Sequence, residues 1–331
     1  MQKLINEPGS FVDEMLEGLL LAHPESLRCP APRVLARAGS PQPGKVAIVT
    51  GGGSGHLPLF LGYVGRGLAD GAAVGDVFAS PSAQQILEAT RAVDGGAGVL
   101  YLFGNYSGDV MNFDMAAELA ELEGINSAAF LAADDVASAP AGAEGRRRGV
   151  AGIALLYKVA GAKAEQGAAL GEVLAVTAKA AAGLRSMGVA LSPCTLPAVG
   201  HPTFTLEDGE MEIGMGIHGE PGVRRERLRP AAQVAEEITR AVVGDLPYRA
   251  GDEVVVLVNG LGATPAEELY ILFRTAHQVL SSEGITVKRA WVGEYATSLE
   301  MAGASISLLK VDDELLSLVD APCQSPFMVR R

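Results

Sequence analysis

The sequence has few cysteines, and they do not form a recognisable pattern. The 331-residue chain has three, at Cys29, Cys194 and Cys323. An odd number of widely spaced cysteines without a C-x-x-C pair argues against both a disulfide framework and a zinc site. We therefore expect no structural metal.

An excess of positive charge is also lacking, because the formal net charge is -13 at pH 7. Such a charge repels phosphate backbones and anionic lipids, so we expect neither a nucleic-acid nor a membrane partner. No apolar run approaches the ~20 residues needed to span a bilayer, and the N-terminus has no signal-peptide pattern. These absences favour a cytoplasmic protein that binds a small, neutral molecule.

The common nucleotide-binding motifs are missing. No G-x-G-x-x-G fingerprint fits the glycines after Thr50, and no lysine is followed by Ser or Thr as a Walker loop requires. A G-x-S-x-G motif does not fit around Ser54 either. An NAD-dependent oxidoreductase is therefore disfavoured, and we expect this chain itself to bind no cofactor.

The sequence does contain a short apolar strand that ends in glycines, Lys45 to Pro58 (KVAIVTGGGSGHLP). In an open α/β sheet, ligands bind beyond the carboxyl ends of central strands, where glycine lets the backbone approach the ligand. His56 then places an ionisable side chain at the edge of this loop. The alternative is a tight turn that only packs strand against helix.

The length and the 48% hydrophobic content are sufficient for two hydrophobic cores. We predict two α/β domains, each a mixed sheet flanked by helices, with residues 1–188 carrying the glycine loop and Asp109 and residues 189–331 carrying His218. The boundary is placed near a proline-containing connector, Gly188 to Gly200.

Further elements of the first domain follow from local signals. We predict a helix from Phe11 to Ala22, a helix from the N-cap Ser80 to Val93, and a buried strand from Gly98 to Phe103. That strand ends at Gly104 and is followed by Asp109 at the start of another helix. Because parallel strands end at one edge of a sheet, His56 and Asp109 are expected on the same edge. Alternatively, Asp109 only stabilises the helix N-terminus.

The remaining strands and helices are predicted from the same periodicities. We expect a strand from Ser127 to Ala132 and two alanine-rich helices within Val150 to Met187. In the second domain we expect a strand from Glu253 to Val258, a helix that begins with a Thr264–Glu267 capping box, and a strand from Ile285 to Val292. The three arginines Arg146–Arg148 are interpreted as a solvated surface rather than an anion site.

Two of the five histidines lie in glycine-rich loops, His56 and His218. Four glycines surround His218 in EIGMGIHGEPGV, so little steric bulk lies beside its ring. The alternative is a turn histidine held by Glu220. We interpret His23 as a helix cap, and His201 and His277 as structural.

The order and spacing of four motifs, GGGSGH, GNYSGDVMNF, RSMGVALSPCT and EIGMGIHGEPGV, resemble the sugar-binding subunit of the dihydroxyacetone kinases, and the resemblance covers essentially the whole chain. It implies that His218 attacks the substrate carbonyl to form a covalent hemiaminal. It also implies that His56 and Asp109 hold the hydroxyls and take part in proton removal. Gly53, Ser54 and Gly55 fall where the family's loop contacts the substrate.

The resemblance also implies partners. The phosphoryl donor in such proteins takes one of two forms. It is either a separate helical subunit or fused domain that carries ATP and Mg, or a subunit whose bound nucleotide, ADP, is recharged by a phosphotransferase-system protein. This chain shows no such domain, so we expect it to be inactive alone, and the family suggests a homodimer.

The implied hemiaminal also bears on the choice of substrate. It forms by a covalent bond to a carbonyl carbon, so it selects a ketone over an alcohol.

The chain departs from the family pattern at Leu57, at Gly104 and at Leu59-Phe60, where a small residue and a histidine are common. Leu57 stands where a glutamate is usual, and Gly104 stands where a lysine is usual, which leaves the Gly104 backbone N–H available to the substrate. We therefore expect dihydroxyacetone or a related short ketose such as erythrulose as the substrate. A sugar-sensing regulatory homologue is the alternative outside enzymes.

Overall fold

The computed structural model describes residues 3–331, with strands that account for two six-stranded sheets and one small hairpin. The strands are β1 (Leu27–Ala31), β2 (Val34–Arg37), β3 (Ala47–Ser54), β4 (Gly71–Val77), β5 (Val99–Gly104), β6 (Ser127–Ala132), β7 (Leu184–Ala190), β8 (Glu210–Ile213), β9 (Arg224–Arg227), β10 (Glu253–Gly260), β11 (Thr286–Gly293), β12 (Gly303–Val311), β13 (Cys323–Gln324) and β14 (Val329–Arg330).

The α-helices alternate with these strands along the chain. They are α1 (Phe11–Ala22), α2 (Ala83–Val93), α3 (Ser107–Leu122), α4 (Ile153–Glu165), α5 (Leu170–Ala182), α6 (Ala231–Asp245), α7 (Ala266–Ser282) and α8 (Asp313–Asp320). No helix among residues 3–331 combines the length and the apolar character needed to cross a bilayer.

The chain divides into two compact units, and each is built from separate stretches of sequence. The first unit contains the residues up to Leu131, Ala154–Lys179 and Leu315–Arg331, and the second contains Ala132–Ile153 and Ala180–Glu314. The single boundary expected between residues 188 and 189 falls inside β7, whose Met187 and Val189 side chains are part of the second unit's core.

The sheet of the first unit has the strand order β1-β2-β4-β3-β5-β6. β3 is parallel to both β4 and β5, whereas β2 is antiparallel to β1 and β4. Helices cover both faces: α2 and α3 pack against one core cluster that contains Val49, and α1 packs against a second that contains Leu35. This is the mixed, helix-flanked sheet predicted from the sequence.

The sheet of the second unit has the order β11-β10-β12-β7-β8-β9, in which only the β10–β11 pair is parallel. The predicted strand–helix–strand unit is confirmed as β10, α7 and β11. Apolar residues of α6 and α7 pack on β7, β8, β10 and β12 to form the core.

Several helix and strand boundaries predicted from local signals are confirmed, and others are corrected. The helix from Phe11 to Ala22 and the strand from Ser127 to Ala132 have the predicted bounds. The second helix begins later than predicted, because Ser82, not Ser80, is its N-cap and forms a capping box with Gln85. The end of the predicted alanine-rich helical segment is instead strand β7.

The predicted capping box of α7 does not form. The Thr264 hydroxyl donates to the Gly303 carbonyl oxygen at 2.7 Å and accepts from the Gly303 backbone N–H at 2.8 Å. The N-cap position is occupied by Pro265 without a side-chain cap. A tertiary contact with β12 therefore takes the hydroxyl that the local motif assigned to the helix end.

Candidate active site

Gly51, Gly52 and Gly53 belong to strand β3 rather than to a loop, because β3 continues to Ser54. Gly51 and Gly52 are paired in parallel with Ala73 and Val74 of β4. A Cβ on Gly53 would lie 2.7 Å from the Ala79 backbone nitrogen. The absence of side chains therefore allows neighbouring backbone to pack against the end of this strand.

We expect Gly53→Ala to destabilise the protein by about 1–3 kcal/mol, because the added methyl meets backbone atoms that cannot rotate away. Urea unfolding followed by circular dichroism measures this loss. Gly18→Ala is the matched control: it lies in the exposed face of α1 with no atom within 4 Å of a new Cβ, and it should increase stability by up to about 1 kcal/mol. Equal stabilities of the Gly53→Ala variant and the wild type would contradict this packing argument.

His56 lies two residues beyond the end of β3 and is fully buried, with 0% of its surface exposed. Its ring stacks on Phe78, with ring centroids 4.7 Å apart and an angle of 9° between the planes. Phe60 meets the same ring edge-on at 6.3 Å. Two aromatic side chains therefore fix the plane of the imidazole.

Phe78 has an unusual backbone conformation, with φ of 57°. A bulky residue in this left-handed region costs free energy and persists only where the surrounding structure enforces it. The backbone N–H of Phe78 donates to the Ser54 carbonyl oxygen at 3.0 Å, which ties it to the end of β3. No local pattern indicates this role of Phe78, because it contacts His56 from 22 positions further along the chain.

Asp109 is positioned by the neighbouring parallel strand β5. That strand ends at Gly104, and Asp109 lies in the first turn of α3, 5% exposed. The chain passes from β3 to β4 on one side and then crosses to β5 on the other, so β3 and β5 flank a topological switch point, where α/β sheets bind ligands. The structure thus places His56 and Asp109 after the carboxyl ends of adjacent strands.

Tyr157 and Thr50 add two polar groups to this region. The Tyr157 hydroxyl lies 2.6 Å from the Thr50 hydroxyl, and both residues are completely buried. Burial raises the pKa of Tyr157, the Thr50 hydrogen bond lowers it, and the negative charge of Asp109 raises it further. Tyr157 therefore stays protonated and can donate a hydrogen bond. Sequence reasoning missed this pair, since Tyr157 lies in an apolar helix.

Two residues predicted to contact the substrate, Ser54 and Gly55, have different structural roles at the end of β3. The Ser54 hydroxyl donates to the Gly75 carbonyl oxygen at 2.7 Å, so its proton is already used. Gly55 has a positive φ of 104°, and this conformation makes the turn that leads into His56.

His218 lies in the second unit, in the loop between β8 and β9. Its Nδ1 atom is 3.0 Å from Glu220 Oε1, and its backbone N–H donates to Glu220 Oε2, also at 3.0 Å. Hydrogen bonds from Gly216 N–H to the Glu220 carbonyl oxygen and from Gly222 N–H to Glu212 Oε1 close the loop. One carboxylate therefore holds both the backbone and the ring of His218.

The carboxylate of Glu220 stays ionised. Burial alone would raise its pKa, but the hydrogen bond and charge of His218, its own backbone N–H and the charge of Arg148 lower the pKa to about 2. An ionised carboxylate next to Nδ1 favours the tautomer that carries a proton on Nδ1. Nε2 then carries the lone pair needed for attack on a carbonyl carbon. The contact with Glu220 that the structural alternative expects is thus present. The same contact also orients the ring as a nucleophile requires.

Residues 17–327 match the family model described as the Dak1 domain. The chain belongs to the Dak1 domain family. The family resemblance drawn from the four motifs is therefore confirmed.

Three Dak1 relatives show the range of proteins to which the chain is similar. It is 48% identical to the PTS-dependent dihydroxyacetone kinase 1, dihydroxyacetone-binding subunit DhaK, of Listeria innocua, over 95% of each chain. It is 45% identical to the D-erythrulose kinase of Mycolicibacterium smegmatis, over 98% of this chain and 56% of that protein. The solved structure of the dihydroxyacetone kinase operon co-activator Dha-DhaQ aligns with a TM-score of 0.90 at 33% identity, over 98% of this chain and 99% of that one.

The departures from the usual Dak1 pattern at Leu57 and at Gly104 lie in different surroundings. Leu57 is partly buried and packs against the cluster that contains α1 residues, so it contributes to the core of the first unit. Gly104 is buried at the last position of β5, next to the loop that leads to Asp109. Leu57 is thus the neighbour of His56 in the chain, and Gly104 stands at the end of the strand that leads to Asp109.

The other three histidines lie at a helix end, in a turn and within a helix. His23 is the C-cap of α1 and donates its backbone N–H to Leu19. His201 is exposed in a turn beside Pro202, and His277 lies in α7 with its ring near Phe273 and Ser281. The interpretations of these three residues as a cap, a turn residue and a helix residue are confirmed.

Proposed function

We propose that this Dak1 protein is the ketose-binding subunit of a dihydroxyacetone kinase, a phosphotransferase that acts with a partner subunit. The observation that carries the proposal is the His218–Glu220 pair, in a chain 48% identical to a dihydroxyacetone-binding subunit. It presents an oriented imidazole in a glycine-rich loop, as the attack on a small ketone requires.

In the proposed first step, Nε2 of His218 adds to the substrate's carbonyl carbon. The new N–C bond forms as the C=O π pair moves to oxygen, which takes a proton from solvent. The ring becomes positively charged, and the Glu220 carboxylate stabilises that charge through Nδ1. The Nδ1 proton then passes to solvent, which balances the proton taken up by the oxygen and gives a neutral hemiaminal that keeps every atom of the ketose. Glycerol has no carbonyl and cannot react in this way.

In the proposed second step, Asp109 and His56 hold the substrate hydroxyls and accept the proton of the attacking hydroxyl. Both groups are buried, and a positioned base of this kind contributes about 10²–10⁴-fold to a rate. The substrate is also proposed to contact Gly53, Ser54, Gly55 and the backbone N–H of Gly104.

The phosphoryl group is proposed to come from a separate nucleotide-binding subunit. That subunit would hold ATP, or ADP that a phosphotransferase-system protein recharges, together with Mg. The protein is proposed to act as a homodimer in the cytoplasm.

A second substrate, erythrulose, is supported by a specific observation. The chain is 45% identical to a D-erythrulose kinase over 98% of its own length, although it spans 56% of that protein. Gly104 has no side chain where a lysine is usual, and we propose that the smaller residue accommodates the extra hydroxymethyl group.

The test is to add ketose labelled with carbon-13 at the carbonyl carbon and to record spectra and native mass. An adduct moves the labelled carbon from the ketone to the tetrahedral region and adds the mass of one intact ketose without loss of water. Dihydroxyacetone and erythrulose are compared, with glycerol as the control, and peptide mapping locates the adduct. Phosphorylation is then measured after addition of the donor subunit. No adduct with either ketose would refute the proposal, and an adduct without phosphoryl transfer would favour the sensor function.

A further inference from the structure

The run Arg146–Arg148 has three different environments rather than one solvated face. Arg146 is exposed. Arg147 is completely buried and binds both carboxylate oxygens of Asp245, at 2.8 and 2.6 Å. The Arg148 side chain is 13% exposed and forms ion pairs with different partners, Asp135 and Glu220. The interpretation of this run as a solvated surface is therefore wrong for two of its members.

Arg148 is fixed by a nearly buried carboxylate. Its Nε and Nη2 atoms donate to Asp135 Oδ2 at 2.9 and 2.7 Å, and Nη2 also donates to the Gly214 carbonyl oxygen at 3.1 Å. Gly214 is the residue at which the His218 loop leaves β8. Burial raises the pKa of Asp135 to about 6 even though Arg148 lowers it, so this carboxylate is still ionised at neutral pH.

The remaining nitrogen of the guanidinium faces the histidine's partner. Nη1 of Arg148 lies 3.8 Å from Glu220 Oε2, the oxygen that accepts the His218 backbone N–H. A Cβ on Gly216 would lie 2.1 Å from Glu220 Oε2 and 2.5 Å from Arg148 Nη1. Gly216 therefore leaves the space through which the cation and the carboxylate approach each other.

We infer that Arg148, anchored by Asp135, is a positioning residue for His218 that acts through Glu220. This inference rests on the proposed function. The guanidinium holds the Glu220 carboxylate in the orientation that accepts a hydrogen bond from Nδ1, so the lone pair stays on Nε2. Asp135, 85 positions away from Glu220, thereby contributes to the orientation of the nucleophile.

The first test is a double-mutant cycle of Arg148→Gln and Glu220→Gln, read out as the association constant for the carbon-13 adduct. In the wild-type background, Arg148→Gln should lower this constant by about fivefold to tenfold, a change typical of one partly buried charged contact. In the Glu220→Gln background it should lower the constant by less than about twofold, because interacting residues are non-additive. Equal effects in both backgrounds would overturn the inference.

The second measurement uses the protein without ketose. Nitrogen-15 spectra of the imidazole report which ring nitrogen carries the proton, and Arg148→Gln should reduce the Nδ1-protonated fraction of His218. Arg146→Gln removes the same charge from the same run and should leave both readouts unchanged. An unaltered tautomer in Arg148→Gln would overturn the inference.

The design separates the two claims. Absence of an adduct in the wild type would refute the proposed function, whereas the tautomer measurement would still test Arg148. If Arg148→Gln does not fold, Arg148→Lys keeps the charge without the planar fork and should give an intermediate loss of adduct. A wild-type association constant in Arg148→Lys together with a wild-type constant in Asp135→Asn would count against the inference.

Discussion

His218→Ala should abolish the covalent ketose adduct. With the proposed nucleophile removed, the labelled carbonyl carbon should stay in the ketone region of the carbon-13 spectrum at every ketose concentration. Phosphorylation in the presence of the donor subunit should fall by about 10³-fold or more, since loss of a covalent nucleophile removes the pathway that depends on it. Both quantities can be measured on one preparation.

His201→Ala is the matched control for this experiment. His201 is in the same unit and exposed, and its ring contact is a 3.5 Å approach to the Pro202 carbonyl oxygen. We expect wild-type adduct formation and wild-type phosphorylation from this variant. An adduct of undiminished affinity in His218→Ala would show that the ketose is not attached to His218.

Asp109→Asn should separate attachment from phosphoryl transfer. The amide has nearly the same shape as the carboxylate but cannot accept the substrate proton, so kcat should fall by about 10²–10⁴-fold. Adduct formation on His218 should change by less than about threefold, because the carbonyl reacts without this base. Carbon-13 titration and steady-state kinetics measure the two quantities.

The alternative for Asp109 is stabilisation of the α3 N-terminus alone, which is worth about 0.3–1 kcal/mol in folding free energy. In that case Asp109→Asn would reduce stability slightly and leave kcat near its wild-type value. Asp114→Asn on the exposed side of the same helix is the control, since it removes one negative charge from α3 outside the turn that carries Asp109. A kcat for Asp109→Asn equal to that of Asp114→Asn would exclude Asp109 as the base.

The elements that were predicted correctly are those whose signals are local. The helix Phe11–Ala22 and the strand–helix–strand arrangement of β10, α7 and β11 follow from hydrophobic periodicity and turn residues. The start of α2 was misplaced by a local competitor, Ser82 instead of Ser80, and two other errors occurred where a distant partner decided the structure. Gly51 and Gly52 continue strand β3 because β4 pairs with them, and the Thr264 hydroxyl binds Gly303, 39 positions away.

The same distinction applies to the candidate site. His56 and His218 could be singled out because glycines flank them in the sequence. Phe78 and Tyr157 could not, because an aromatic residue in an apolar segment has the same local pattern whether it contacts a histidine or only fills the core. Arg148 was misjudged because charged runs are usually exposed, and only folding shows that Asp135 lies beside it.

The late segment Leu315–Arg331 completes the first unit. Within that unit the Lys158 ammonium group donates to the Leu318 carbonyl oxygen, and Gln324 pairs with Arg66. A ribosome must therefore synthesise all of the second unit before the first can acquire its last contacts. The half that carries His56 and Asp109 is consequently completed only once Leu315–Arg331 has been made, and a truncation before Leu315 would harm the unit that carries these two residues.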